Sequence, residues 1–264
     1  MSKSNGPATS LARRRASIDV VDAKVAVDLA TAQTYSENVF LFVPNLIGYS
    51  RIILAALSLH YMSYHPKYCT VLYCISCLLD AFDGHAARAL GQASKFGAVL
   101  DMVTDRCTTT SLLCYLTSAY PDHALFFQFL IALDFSSHYM HMNSSLVTGS
   151  KSHKQVDSDV SRLLRAYYNP TTLFIVCAGN ELFYISLYLM KWVHTPLSES
   201  FGITGYFATW TWPELMAAVS APVCFYKNFV NVVQLWKASK ILVGVDLAER
   251  AKAREEEYMR GKQD

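Results

Sequence analysis

The sequence predicts an all-α polytopic membrane protein with six transmembrane helices. Three observations carry that expectation. Of the 264 residues, 52% are hydrophobic and only 17% are charged, whereas a soluble domain carries roughly a quarter charged residues. Six segments approach the about 20 apolar residues that a membrane-crossing helix needs: residues 39–60, 68–90, 97–119, 123–147, 166–191 and 214–237. Finally, the basic residues alternate between connections. The N-terminal segment holds Lys3, Arg13, Arg14, Arg15 and Lys24, and the fourth connection holds Lys151, Lys154, Arg162 and Arg165; connections 61–67 and 120–122 hold only Lys67. An even number of spans puts the basic segments on one side, the cytoplasmic side by the positive-inside rule. A net charge of +2 gives no general nucleic-acid footprint, so no nucleic-acid partner is expected.

Taken in order, residues 1–38 are polar and show no secretory leader pattern, so the first apolar run is expected to remain as an anchor. Arg13-Arg14-Arg15-Ala16-Ser17 reads as a basic leader, with the look of a kinase site at Ser17 or an anionic-lipid contact as alternatives. Val20 to Thr34 spaces its apolar residues as a surface amphipathic helix would; a solvated tail is the competing account. At the start of the first span, Pro44 suits a first helical turn with Asn45 near the cap. Arg51 heads the apolar run IILAALSL, where a charge is expected to face the bundle interior. Cys74 and Cys77 form a C-x-x-C with no second pair nearby, and seven cysteines cannot all pair; packed thiols are expected rather than zinc. Residues 192–212 are rich in aromatic and turn residues and read as an interfacial loop, and 246–262 as a solvated charged helix or tail. The expected organisation is an N-terminal segment 1–38, a membrane catalytic domain 39–240 and a charged tail 241–264, both ends cytoplasmic.

The chemistry concentrates between the second and third spans, in DAFDGHAARALGQASKFGAVLDMVTD. Asp80 and Asp83 are three apart and Asp101 and Asp105 four apart, so each pair shares a helix face. Gly91-Gln92-Ala93-Ser94-Lys95 supplies a turn, and the resulting hairpin sets the two pairs opposite each other at the cytoplasmic edge. One such aspartate is a cap or a surface ion pair, as Asp105 beside Arg106 illustrates. Four together repel unless cations join them. Oxygen-only ligands select hard ions, Mg²⁺ or Mn²⁺, and two of them form a clamp for displacement at phosphorus. Gly84 and Ala87 leave room for a phosphate, and Arg88 is placed to bind one of its oxygens. Arg51 is expected to touch a site carboxylate or that phosphate. On spacing alone, Asp101 and Asp105 are equivalent candidates for a general base.

Written as Asp80-x2-Asp83-Gly84-x2-Ala87-Arg88-x8-Gly97-x3-Asp101-x3-Asp105, the stretch resembles the signature of the CDP-alcohol phosphatidyltransferase family at every defined position. The resemblance implies a six-helix membrane enzyme, commonly a homodimer, that transfers a phosphatidyl group from a CDP-linked lipid to an alcohol and releases CMP. It makes Asp80, Asp83 and Asp101 metal ligands. Asp105 becomes the general base, with a share in the second metal. Gly84 and Arg88 become contacts to the CDP-lipid, as does Ser94, at a position the signature leaves variable.

Two flanks bear on the acceptor. Val43–Arg51 and Asp134–Lys154 are similar to segments of eukaryotic family members that join CDP-diacylglycerol to myo-inositol, which implies an endoplasmic reticulum membrane. A neutral polyol needs donors and acceptors rather than a charge clamp. Residues 134–144 supply them, including His138 and His141, for which packing is the competing account. Asn45, Arg51, His138 and Lys151 are the expected acceptor or phosphate contacts, though Lys151 and its basic neighbours also satisfy simple topology. Glycerol 3-phosphate, serine or choline acceptors are the alternatives within the family. A divalent-cation transporter is the alternative outside it, although no internal repeat is visible.

Overall fold

A computed structural model describes residues 37–148, 167–202 and 204–262. The chain divides into two compact units, Met1–Leu41 and Phe42–Asp264. The described part of the first contains a single 3-10 turn, Val39–Leu41. Among the described residues of the second there are six long helices and no strand. They are α1 (Val43–Tyr61), α2 (Pro66–Ala89), α3 (Lys95–Ala119), α4 (Ala124–Val147), α5 (Pro170–Leu189) and α6 (Trp212–Arg260).

The helix starts follow local chemistry. Pro44, Pro66, Pro170 and Pro213 occupy first turns, where the missing N–H costs no hydrogen bond. Ser94 caps α3 by accepting from the Gly97 amide at 2.9 Å, and Asn169 caps α5 through Thr171. Thr211 and Glu214 form a reciprocal capping box at the start of α6. Between α2 and α3 the chain turns at Gly91, whose φ of +65° lies in the left-handed region that favours glycine. The Val43 amide donates to the Gln92 side chain at 2.9 Å, tying this turn to the start of α1.

Each expected span contains a helix, with boundaries moved by a few residues. The last difference is larger. For the charged stretch 246–262, read as a solvated helix or tail, the helix is what forms: α6 continues past residue 237 as one 49-residue helix, exposed along its final turns. It carries Pro222 in its interior. Among the described residues of 192–211, the helical elements are the short helix Leu197–Phe201 and the turn Tyr206–Thr209. All seven cysteines are free thiols, but only Cys69 and Cys224 are buried. Ser17, Val20–Thr34 and Lys151 lie outside the described residues.

Helix α1 packs along α2, α6 packs against α5 and α4, and α3 leans on α4 and α1. The main apolar core, with Tyr73, Leu112, Leu116, Tyr184 and Tyr188, lies at the end where α1 meets α2. There the Tyr188 hydroxyl donates to the Met62 carbonyl at 2.8 Å and Ser58 donates to the Cys69 carbonyl at 2.9 Å. The outer faces stay apolar: Ile53, Val71, Phe129, Phe174 and Phe225 are all exposed. Helices α5 and α6 are long and apolar enough to cross a membrane by length and composition. Polar residues interrupt the other four.

Helices α5 and α6 approach closely at Gly179, where an added Cβ would stand 2.6 Å from Val223 Cγ1. Gly179→Ala should therefore cost about 1–3 kcal/mol, read as a lower unfolding temperature in detergent. Adding Val223→Ala should recover most of that loss.

Candidate active site

Asp80 and Asp83 fall in the last three turns of α2, and Asp101 and Asp105 in the first three of α3. Their carboxylates converge on Arg51 from α1. Its Nη2 lies 2.7 Å from Asp80 Oδ1, and its Nη1 lies 2.8 Å from Asp83 Oδ2 and 2.7 Å from Asp101 Oδ1. Nη2 also donates to Asp105 Oδ1. The Arg51 side chain is 3% exposed, whereas those of Asp80, Asp101 and Asp105 are 30–41% exposed, so the carboxylates open outward from a buried cation. The helix carrying Arg51 is held in place by Ser76, which donates to the Arg51 carbonyl at 3.2 Å.

Arg51 meets all four carboxylates and Arg106 lies 3.6 Å from Asp105, so the acids outnumber the guanidinium groups two to one. One oxygen from each of Asp80, Asp101 and Asp105 lies within 4.8 Å of the others, a grouping that could hold a metal ion. The donors are all carboxylate oxygens and partly accessible, which suits a hard divalent cation.

Around this cluster the remaining candidates take distinct places. Gly84 lies one turn before Arg88, and a Cβ on Gly84 would meet Arg88 Nη1 at 3.5 Å; Arg88 itself is exposed. Ser94 is the α3 cap. Asn45 is buried against the first turn of α3, where a Cβ on Gly97 would come within 2.6 Å of Asn45 Oδ1. That contact explains the glycine: α3 can approach Asn45 only without a side chain at 97.

His138 stands elsewhere. Its Nε2 is 2.6 Å from Arg106 Nη1 and its Nδ1 is 2.8 Å from the Asp134 carbonyl. Both belong to a buried network. Asp134 receives Lys227 Nζ at 2.8 Å and Asn231 Nδ2 at 3.2 Å, and its Oδ2 lies 3.2 Å from Arg106 Nε. Arg106 is not the surface partner that its position beside Asp105 suggested; its side chain is 13% exposed and its Nη2 lies 3.6 Å from Asp105 Oδ2. His141 is separate again, its ring stacked on Tyr168.

Sequence reasoning passed over Lys227 and Glu181. Each is a lone charge in an apolar run, PVCFYKNFV and CAGNELFYI, and that isolation was the available signal.

The family model of the CDP-alcohol phosphatidyltransferases matches residues 41–212, about two thirds of the chain and all of the carboxylate hairpin. The chain belongs to this family. Similar family members include the CDP-diacylglycerol–inositol 3-phosphatidyltransferases of Schizosaccharomyces pombe and Homo sapiens, each 48% identical and each matched over 82% of this chain. The matches cover 95% and 98% of those proteins, respectively. The Saccharomyces cerevisiae enzyme of the same description is 46% identical over 84% of this chain and 95% of its own length. No solved structure matches the chain.

Arg51→Met should leave four facing carboxylates without their buried counter-charge. In chelator, the variant is expected to lose about 3–5 kcal/mol of stability, measured by unfolding in detergent, and added Mn²⁺ should restore part of it. Arg51→Lys should not substitute, because one ammonium lacks the fork that reaches both helices.

Proposed function

We propose that this chain transfers the phosphatidyl group of CDP-diacylglycerol to myo-inositol and releases CMP. The observation that carries this is the convergence of Asp80, Asp83, Asp101 and Asp105 in a chain that matches inositol-accepting relatives over nearly their whole length.

The assigned roles are those that the family resemblance implies for these positions. Asp105 takes the proton from an inositol hydroxyl, whose oxygen attacks the phosphorus bearing the diacylglycerol. The bond from that phosphorus to the bridging oxygen breaks, and the electron pair leaves with CMP. Asp80, Asp83 and Asp101, with Asp105 sharing, would hold two Mg²⁺ or Mn²⁺ ions, which when bound supply positive charge at the phosphate oxygens. Gly84 leaves the α2 surface open for the pyrophosphate, and the exposed Arg88 is positioned to meet one of its oxygens. Arg51 holds both carboxylate pairs in register. Ser94 and Asn45 set the first turn of α3, and thereby Asp101 and Asp105. His138 supports the site through Arg106. Lys151 and its basic neighbours keep the expected role of drawing in the anionic donor headgroup.

The same proposal covers placement. The six long helices form a six-span bundle, consistent with their exposed apolar faces. Residues 39–240 form the catalytic domain, with 1–38 and 241–264 on the cytoplasmic side. The enzyme works as a homodimer in the endoplasmic reticulum membrane.

The deciding experiment incubates the purified protein with CDP-diacylglycerol, Mn²⁺ and each labelled alcohol. Inositol should support CMP release, chelator should abolish it, and glycerol 3-phosphate, serine and choline should not replace inositol. Turnover with one of those alcohols instead, or metal flux without CMP, would refute the assignment. Asp105→Asn should lose turnover by at least about a hundred-fold while retaining CDP-diacylglycerol binding, whereas Asp80→Asn should weaken metal binding as well.

A further inference from the structure

The two helices that carry the carboxylates are not closely packed on each other; the contacts of α2 and α3 run mainly to α1 and α4. The gap between them is therefore set by side chains that reach across from other helices. Arg51 of α1 is one such bridge, at the level of the carboxylates. A second lies deeper, on α5. There Glu181 Oε2 accepts from the Tyr73 hydroxyl of α2 at 2.6 Å, while its Oε1 accepts from Thr109 Oγ1 of α3 at 3.1 Å. Asn180 Nδ2 also donates to Oε1 at 3.2 Å. Tyr73 is 1% exposed and Thr109 5%.

The register of this bridge is what gives it meaning. Tyr73 sits seven residues before Asp80, and Thr109 four residues after Asp105, on the same helix faces as those carboxylates. Thr109 thus lies about 6 Å along α3 from Asp105. One oxygen of Glu181 is committed to each carboxylate-bearing helix, so the width of a single carboxylate spaces α2 from α3 beneath the site. A divalent ion tolerates only small errors in ligand distance, Mg²⁺ least of all.

We infer that Glu181 is a positioning residue: bonded to Tyr73 and Thr109, it fixes the α2–α3 separation at which Asp80, Asp101 and Asp105 can share divalent cations. It touches neither substrate nor metal, and it acts through the two helices. The inference rests on the metal-binding reading of those aspartates, which Mn²⁺ binding by the unaltered protein tests separately.

The experiment measures Mn²⁺ binding by electron paramagnetic resonance, alongside kcat and KM, for Glu181→Leu, Glu181→Gln and Tyr73→Phe in detergent. Glu181→Leu and Tyr73→Phe should weaken Mn²⁺ binding by about ten-fold, the lower end for indirect metal-site substitutions. Glu181→Gln, which keeps an oxygen acceptor, should recover most of that loss, and KM for both substrates should stay unchanged at saturating Mn²⁺. Unaltered Mn²⁺ affinity in Tyr73→Phe, or a Glu181→Gln no better than Glu181→Leu, would overturn the inference. If Glu181→Leu does not fold, Tyr73→Phe and Glu181→Gln decide it by the same measure, with equal and unchanged affinity counting against. Should the unaltered protein bind no Mn²⁺, the metal-site reading fails first.

Discussion

Like charges must be held together before they can hold anything else. The fold brings four carboxylates from two helices within reach of one another, and each helix alone would turn them toward water. Arg51 is the group that reverses this preference. Its planar fork contacts both α2 residues and both α3 residues at once, and α1 is packed along α2 so that the fork arrives there buried. The turn at Gly91, the Ser94 cap and the bare face at Gly97 all serve the same convergence by deciding where α3 begins.

Below that centre the protein continues to use polar side chains where an apolar core would be cheaper. The Asp134–Lys227–Arg106 network joins α3, α4 and α6, and Glu181 joins α5 to α2 and α3. Buried ion pairs are weak sources of stability against well-packed apolar substitutes, but they define one arrangement sharply because misplacing either partner is costly. The main apolar core gathers around Tyr188 and Leu116 and includes Tyr73, while a smaller cluster of Tyr167, Val176 and Val230 lies between α5 and α6.

Much of this was legible from residue order. The hairpin and its two carboxylate pairs follow from helical spacing and a glycine turn, and the exposed apolar faces follow from composition. Arg51 announced itself as a charge at the head of an apolar run. The rest depends on which helix lies beside which, and periodicity is silent on that. Asp134 and His138 read as lining for a polyol because they crowd one helix with donors and acceptors; that Lys227 of α6 and Arg106 of α3 bond to them is not visible in the sequence. Arg106 looked superficial because its neighbour in sequence is acidic, whereas its side chain turns inward to Asp134. The continuation of α6 past residue 237 is one of two alternatives that composition leaves open, since a densely charged helix and a charged coil have similar compositions.

That continuation has a mechanical side. An α-helix of 49 residues is a rod about 74 Å long, and its exposed final turns share one hydrogen-bonded ladder with the stretch that bears Lys227 and Asn231. That ladder runs from Arg254 to the charges around Asp134, with Gly244 between them and Pro222 on the far side of Lys227, so the helix has one backbone weak point on each side of the charged network.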